Sequence, residues 1–258
     1  MKNFNNDEEY YGDWEYTTNS QLGYIKRSPA NYWKMRNGGK IDGAALRFGS
    51  LVHTMVLEPE KVKENFVMFN PDERPEADKG MTSKINKDWK MQMDLDCKMG
   101  RKTLMTMDQI KLALTLKEKL YACPEVMEVL NNCETEVPKT WIDLNTMSKC
   151  KGKADIVMNN GLTLVDLKTT GKDVKDFERS AYNFNYHRQA AFYMDGFGAT
   201  EFVFIVIESN APHQIGIFNC SEDFIDKGRQ EYIELLEQKQ DHCESAEIAN
   251  EYIIKGEI

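Results

Sequence analysis

No stretch of this 258-residue chain approaches the ~20 consecutive apolar residues that a membrane span requires, so a transmembrane helix is excluded. The opening residues, MKNFNNDEEYYGDWEY, lack an apolar segment and are acidic and polar, so no secretory export is expected and the expected location is cytoplasmic. Cysteine is sparse: six residues, at 97, 123, 133, 150, 220 and 243, include no CxxC pair. In a reducing compartment they read as separate small thiols, and the spacing suits neither a zinc site nor an iron–sulphur cluster. Internal repeats and long Pro/Gly/Ser linkers are also missing. Net positive charge is lacking too, with 33 Lys and Arg against 42 Asp and Glu, for −9 overall. That balance weighs against a polyanionic partner, because phosphate binding rewards a basic footprint. The cations cluster, however, at 26–40, 79–102, 149–153 and 168–188, while acids crowd both ends, so an acidic exterior with a basic groove is compatible with the total.

What is present is a soluble, globular composition, 41% hydrophobic and 29% charged, with elements that change character along the chain. Ser28-Pro29 reads as an N-cap followed by proline at the first helical position. A second helix is predicted from about Asp42 to Glu58, where Pro59 stops it. Residues 64–69 suggest a short strand, 71–84 a polar loop, and 84–98 and 107–131 helices, the latter broken at Pro124. Alternation then predicts strands at 134–144, 149–158, 162–169, 201–208 and 213–219. Helices at 173–182 and 184–198 separate the third strand from the fourth, and a last helix covers 221–240. The expectation is an α/β domain with a mixed sheet and a helical N-terminal part.

The most informative segment runs from Lys151 to Lys168. Asn160-Gly161 predicts a two-residue type I′ hairpin turn, which pairs Asn159 with Leu162 and therefore Asp155 with Asp166 and Lys153 with Lys168. Directly opposed residues share a face with Cβ atoms ~4.5–5.5 Å apart, and like charges there repel. A proton or a hard divalent cation compensates such a pair. Lys168 emerges on the same face, where an ammonium can meet a phosphate or an attacking water. The other face carries Ala154, Ile156, Met158, Thr163, Val165 and Leu167 and is expected to meet the core. By themselves the charged residues are equally compatible with a solvated hairpin face bearing a salt-bridge lattice.

Asp155, then ten residues, then Asp166-Leu167-Lys168 resembles the D…(D/E)XK signature of the PD-(D/E)XK nucleases. Gly49–Pro59, with His53 at its centre, resembles the upstream helix motif of the RecB-like branch, and Gln189-Ala-Ala-Phe-Tyr193 its downstream helix motif. The frames SPANYW, ALRFGSLVHTMVLEPE, KGKAD, DLKTT and YHRQAAFYMDG resemble the RecE-type exonucleases of phages and prophages, over Ser28 to Gln240. Two positions depart from the signature: Ala154 stands where the family name has proline, and the second acid is aspartate. The four-cysteine iron–sulphur set of the Cas4-like nucleases is absent.

The resemblance implies a PD-(D/E)XK-like central mixed sheet flanked by helices. One nuclease domain would cover 25–245, between an acidic segment, 1–24, and a tail, 246–258. It implies a Mg²⁺-dependent deoxyribonuclease, with Mn²⁺ as substitute, that degrades linear double-stranded DNA from its ends, 5′ to 3′, in phage-type recombination. His53, Asp155, Asp166 and the Leu167 carbonyl would hold metal, and Lys168 would serve the chemistry. A lone histidine in the apolar stretch Leu51–Val56 is otherwise a core residue, so His53 has two readings. Gln189 would hold the site, and Tyr193 would pack near it or contact DNA, although aromatics at that spacing also make packing stripes. Glu136, with Glu134 as competitor, is a weaker candidate, and Lys153 and Arg188 are candidate DNA contacts. A homo-oligomeric ring and a single-strand annealing recombinase as partner complete the implication. A non-catalytic DNA-binding module and an endonuclease of the same fold stay open as alternatives.

Overall fold

The computed structural model describes residues 2, 4, 7–39 and 41–253; the last part of the expected tail, 254–258, lies outside them. Helices α1 (Asp7–Gly12), α2 (Asn19–Arg27) and α3 (Pro29–Arg36) precede the long helix α4 (Ala44–Leu57). Ser28 caps α3 as expected, its hydroxyl accepting the Asn31 N–H at 3.0 Å. A short α5 (Val62–Asn65) leads into β1 (Phe66–Phe69), and α6 (Lys84–Met99) into β2 (Thr103–Thr106). These two strands pair in parallel as a separate small sheet. The pattern at 103–106 does not predict a strand, since four residues carry too little alternation to register. Helices α7 (Met107–Tyr121) and α8 (Pro124–Asn131) meet at the proline break.

The main sheet then begins with β3 (Cys133–Ile142), β4 (Lys149–Met158) and β5 (Thr163–Thr170), an antiparallel meander. Helices α9 (Phe177–Asn183) and α10 (Tyr186–Phe197) form the crossover to β6 (Glu201–Glu208), which lies parallel to β5. Strand β7 (Ile215–Asn219), helix α11 (Glu222–His242) and helix α12 (Ala246–Glu251) complete the chain. The order β3-β4-β5-β6-β7 makes a five-stranded mixed sheet flanked by helices, the fold class the sequence implies.

Both faces of this sheet are buried, where the hairpin pattern predicts a core on one. Ile156, Val165, Leu167, Ile205 and Ile207 pack on Leu51 and Val52 of α4 and Leu116 and Leu120 of α7. Leu164, Phe202, Phe204 and Val206 pack on the other side against Leu22, Ile25, Phe192 and Leu236. The reason is the parallel pair: a crossover places helices on the second face, and β6, reading FVFIVI, is apolar in both directions.

At Asn160 (φ 56°, ψ 34°) and Gly161 (φ 92°) the backbone takes left-handed values of a type I′ turn, closed by the Leu162 N–H on the Asn159 carbonyl at 3.2 Å. Asn159 is left-handed as well (φ 51°), so Asn159 and Leu162 stay outside the ladder. Three pairs keep the expected register: Met158 pairs with Thr163, Val157 with Leu164 and Ile156 with Val165. The ladder stops there, so the expected pairs Asp155–Asp166 and Lys153–Lys168 do not form, and Ala154 packs in the core opposite the one that holds Ile156, Val165 and Leu167.

The helices on the second face are held close by Gly228 of α11, where an added Cβ would lie 2.0 Å from the His187 carbonyl oxygen on α10. Gly228→Ala should therefore destabilise the protein by about 2–3 kcal/mol, although alanine ordinarily favours a helix by ~1 kcal/mol. Urea denaturation measures this, and an unchanged or raised midpoint would refute the close α10–α11 contact.

Candidate active site

The β4–β5 ladder ends at Ile156–Val165, one residue short of Asp155 and Asp166. A similar gap occurs between β3 and β4: Thr135 pairs with Ile156 and Val137 with Ala154, but Glu136 and Asp155 between them are not paired. Glu136 is left-handed (φ 54°), a conformation costly for a side chain longer than asparagine. Glu136, Asp155 and Asp166 thus stand in one row across three strands where the ladder is interrupted on both sides. The Asp155 carboxylate takes over part of the missing backbone bonding, its Oδ2 accepting the Leu167 N–H at 3.1 Å.

Helices from both faces reach this fork. From α4, His53 Nε2 stands 2.9 Å from Asp155 Oδ2 and 3.4 Å from Glu136 Oε1. From α10, the Gln189 side-chain amide donates to Asp166 Oδ1. Within the sheet, Lys168 Nζ lies 2.6 Å from Asp166 Oδ2, and Lys153 Nζ lies 2.6 Å from Glu136 Oε2. The Lys168 ammonium also sits 4.9 Å from the centre of the Tyr186 ring. A cavity of about 490 Å³ opens beside the row, lined by Glu136 and Lys153 with Glu58, Lys61, Phe4 and Tyr10 among its walls.

The charges are mutually dependent. Burial alone would depress the His53 pKa, but the charge and hydrogen bond of Asp155, with Glu136 and Asp166 behind them, raise it to about 9. Burial pushes the Asp166 carboxyl up, Asp155 adds to this, and with Lys168 and His53 opposing, its pKa reaches about 6. Burial acts on Asp155 in the same direction, yet His53, Lys168 and the Leu167 N–H outweigh it and hold that carboxyl below the usual range. Burial likewise raises Glu136 against the opposing Lys153 and His53. Lys168 is held as an ammonium: burial disfavours the charge, but Asp166 and Asp155 win and its pKa rises.

Among the described residues, His53, Glu136 and Asp155 each offer a ligand atom, and these lie within 4.8 Å of one another. One imidazole with carboxylates is a donor set that fits a divalent cation such as Mg²⁺ or Mn²⁺. The imidazolium between Asp155 and Glu136 supplies the positive charge that such a cation would bring. Asp166 adjoins this trio, engaged by Gln189 and Lys168.

His53, Asp155, Asp166, Lys168, Gln189 and Glu136 are thus brought together, and exposed Glu134 is left outside. Leu167 is buried and contributes its N–H. Tyr193 packs beside Phe192 and Phe197, close against Gly152. Two expectations need correction. Arg188 is not a DNA contact: it is 4% exposed, with Nη1 2.7 Å from Glu231 and Nε donating to Asn19, so it ties α10 to α11 and α2. Its place next to Gln189 made it a candidate, but the helix turns it inward. Lys153 points at Glu136 instead of outward. Tyr186 was not among the expected site residues, although its position three before Gln189 places both on one helix face.

Because His53 is protonated at neutral pH in the metal-free protein, a metal must displace that proton to bind there. Calorimetric titration with Mn²⁺ near neutral pH, in buffers of different ionisation enthalpy, should show release of close to one proton per site. Affinity should fall about tenfold per unit as pH is lowered below about 9, and level off above it. His53→Gln should weaken binding and abolish the release. Metal binding with no proton uptake by the buffer would rule out His53 as a ligand.

No curated protein sequence is recognisably similar to this chain. A crystal structure at 2.19 Å of a Eubacterium rectale protein described as a "putative exonuclease" aligns over 100% of this chain and 96% of its own length, with TM-score 0.63 and 16% identity. At that identity the likeness shows a shared fold. The crystal structure of SSO0001 aligns over 72% of this chain and 85% of its own, with 19% identity and TM-score 0.30, too low to carry an argument. Residues 18–251 match a family described as a PDDEXK-like domain of unknown function (DUF3799), and that span takes in every residue of the acidic row and its partners. The match supports a nuclease, and the chain belongs to this PDDEXK-like family.

Proposed function

We propose that the protein is a metal-dependent deoxyribonuclease that hydrolyses phosphodiester bonds at the His53–Glu136–Asp155–Asp166–Lys168 site. The observation that carries this reading is the convergence of three ligand atoms beside an Asp–Lys pair at an interruption in the sheet. His53, Glu136 and Asp155 would hold the ion, with Asp166 adjoining. When bound, a divalent cation lowers the pKa of water and offsets charge developing on phosphate. Lys168 stays protonated, so it acts by charge, orienting the phosphate or the water without accepting a proton. Gln189 fixes Asp166, and Lys153 restrains Glu136.

The finer reading rests on the resemblance to RecE-type enzymes: an exonuclease on linear duplex DNA, running 5′ to 3′, with Mg²⁺ as the physiological ion. On that reading the chain works as a homo-oligomeric ring in the cytoplasm of a phage-bearing host, beside a single-strand annealing recombinase. A ring would reconcile the net charge of −9 with DNA binding by turning basic faces toward a shared channel.

End-labelled linear DNA should be degraded in Mg²⁺ or Mn²⁺ and spared in EDTA, with covalently closed circles resistant. Cleavage of circles would favour an endonuclease instead. Asp155→Asn and Asp166→Asn should each abolish the activity. Lys168→Ala should keep metal binding but lose about 10²–10³ in rate, since one charge-stabilising group is worth ~3–4 kcal/mol at the transition state. Lys168→Arg should restore little, because a planar guanidinium does not replace a compact ammonium. Lys153→Ala should cost far less than Lys168→Ala. Equal losses would reverse the roles assigned to the two lysines.

A further inference from the structure

Eleven of the twelve phenylalanines are buried or partly covered, while Phe184 is 60% exposed. It sits between α9 and α10, followed by Asn185, whose left-handed backbone (φ 57°) makes the corner. The corner is fixed: Lys26 Nζ donates to Asn185 Oδ1 at 2.6 Å and also pairs with Glu231 at 2.8 Å. Packing does not require a phenylalanine here, since Phe184 takes no part in the core cluster that Tyr182 and Tyr186 border.

The position of Phe184 relative to the site is the informative feature. Its ring lies 5.7 Å from that of Tyr186, inclined by 32°, and Tyr186 in turn lies under the Lys168 ammonium, 4.9 Å from ring centre to Nζ. The aromatic row Phe184–Tyr186 therefore leads from solvent to the charge that meets phosphate in the reading above. A nucleotide joins a phosphate to a flat aromatic base. With the phosphate at Lys168, the base of an adjoining nucleotide falls within reach of the exposed ring.

We propose, resting on the nuclease reading, that Phe184 is a stacking platform for an unpaired base next to the scissile phosphate. In a duplex that base would face its partner, so the platform selects a strand whose end has been separated. Stacking on an aromatic ring accepts any base, because each has a π face, so it grips without reading sequence.

The test uses the full chain and end-labelled oligonucleotides with an abasic analogue on either side of the scissile bond. In single-turnover cleavage, the wild type should lose roughly tenfold to a hundredfold on one of the two abasic substrates. Phe184→Ala should cut the intact and abasic strands at one common, reduced rate, and Phe184→Trp should restore the difference. A parallel measurement in Ca²⁺ reads binding alone: 2-aminopurine at that position should be quenched by the wild type and not by Phe184→Ala. An equal abasic penalty in wild type and Phe184→Ala, or equal quenching, would overturn the platform. The same result is expected if the ring serves a protein partner. Quenching that depends on Phe184 in a chain that cuts neither strand would instead overturn the nuclease reading and leave the platform standing. Melting curves of the three proteins separate loss of fold from loss of stacking.

Discussion

Glu136, Asp155 and Asp166 stand side by side across β3, β4 and β5, and three like charges at cross-strand spacing oppose the sheet that carries them. Each has its own nearest partner, and His53 and Lys168 act on more than one of them. His53 and the Leu167 N–H answer Asp155, Lys153 answers Glu136, and Lys168 with Gln189 answers Asp166. The cost of desolvating carboxylates is met by local partners of opposite charge, which explains why the two aspartates move in opposite directions from their ordinary pKa. His53, Glu136 and Asp155 in this arrangement could hold a divalent cation, which would supply the positive charge that the imidazolium supplies here.

That constraint shapes the fold around it. Ladder hydrogen bonds on both sides of Asp155 give way at the acidic row, and the opening lets α4 and α10 reach the same point from opposite faces. The two hydrophobic cores then serve as anchors. Leu51, Val52 and Met55 fix α4 on one side, and Ala190, Ala191 and Phe192 fix α10 on the other. A site assembled from rigid elements of both layers holds its groups more closely than one built on loops. Gly228, by letting α11 approach α10, and Arg188, by tying α10 to α11 and α2, belong to the same scaffold.

Legibility in the sequence follows the range of the interactions. The hairpin was readable because its information is local: Asn160-Gly161 favours left-handed backbone, and alternation on either side sets the register through Ile156–Val165. The helix caps were readable for the same reason, as Ser28-Pro29 shows. Strand β2 and the second buried face were not, since one depends on a partner 37 residues away in register and the other on helices distant in sequence, α2 before the strands and α10 and α11 after the hairpin. The inward turn of Arg188 was not readable, because a residue's place beside a motif says nothing about which way its side of the helix faces.

The sequence by itself determined the hairpin register up to Ile156–Val165, which brings Asp155 and Asp166 to its end, the presence of Lys168 beside them, and the α/β order of elements. Those follow from backbone preferences and side-chain period, which act over a few residues. Only the tertiary structure decided that His53 meets Asp155, that Glu136 prevails over Glu134, that Lys153 turns to Glu136, and that Tyr186 lies under Lys168. Those contacts join groups tens of residues apart, or depend on a backbone twist at one residue, and burial sets their strength. No local pattern encodes them, because the low-dielectric interior that makes each charge seek its partner exists only once the sheet is closed between its helices.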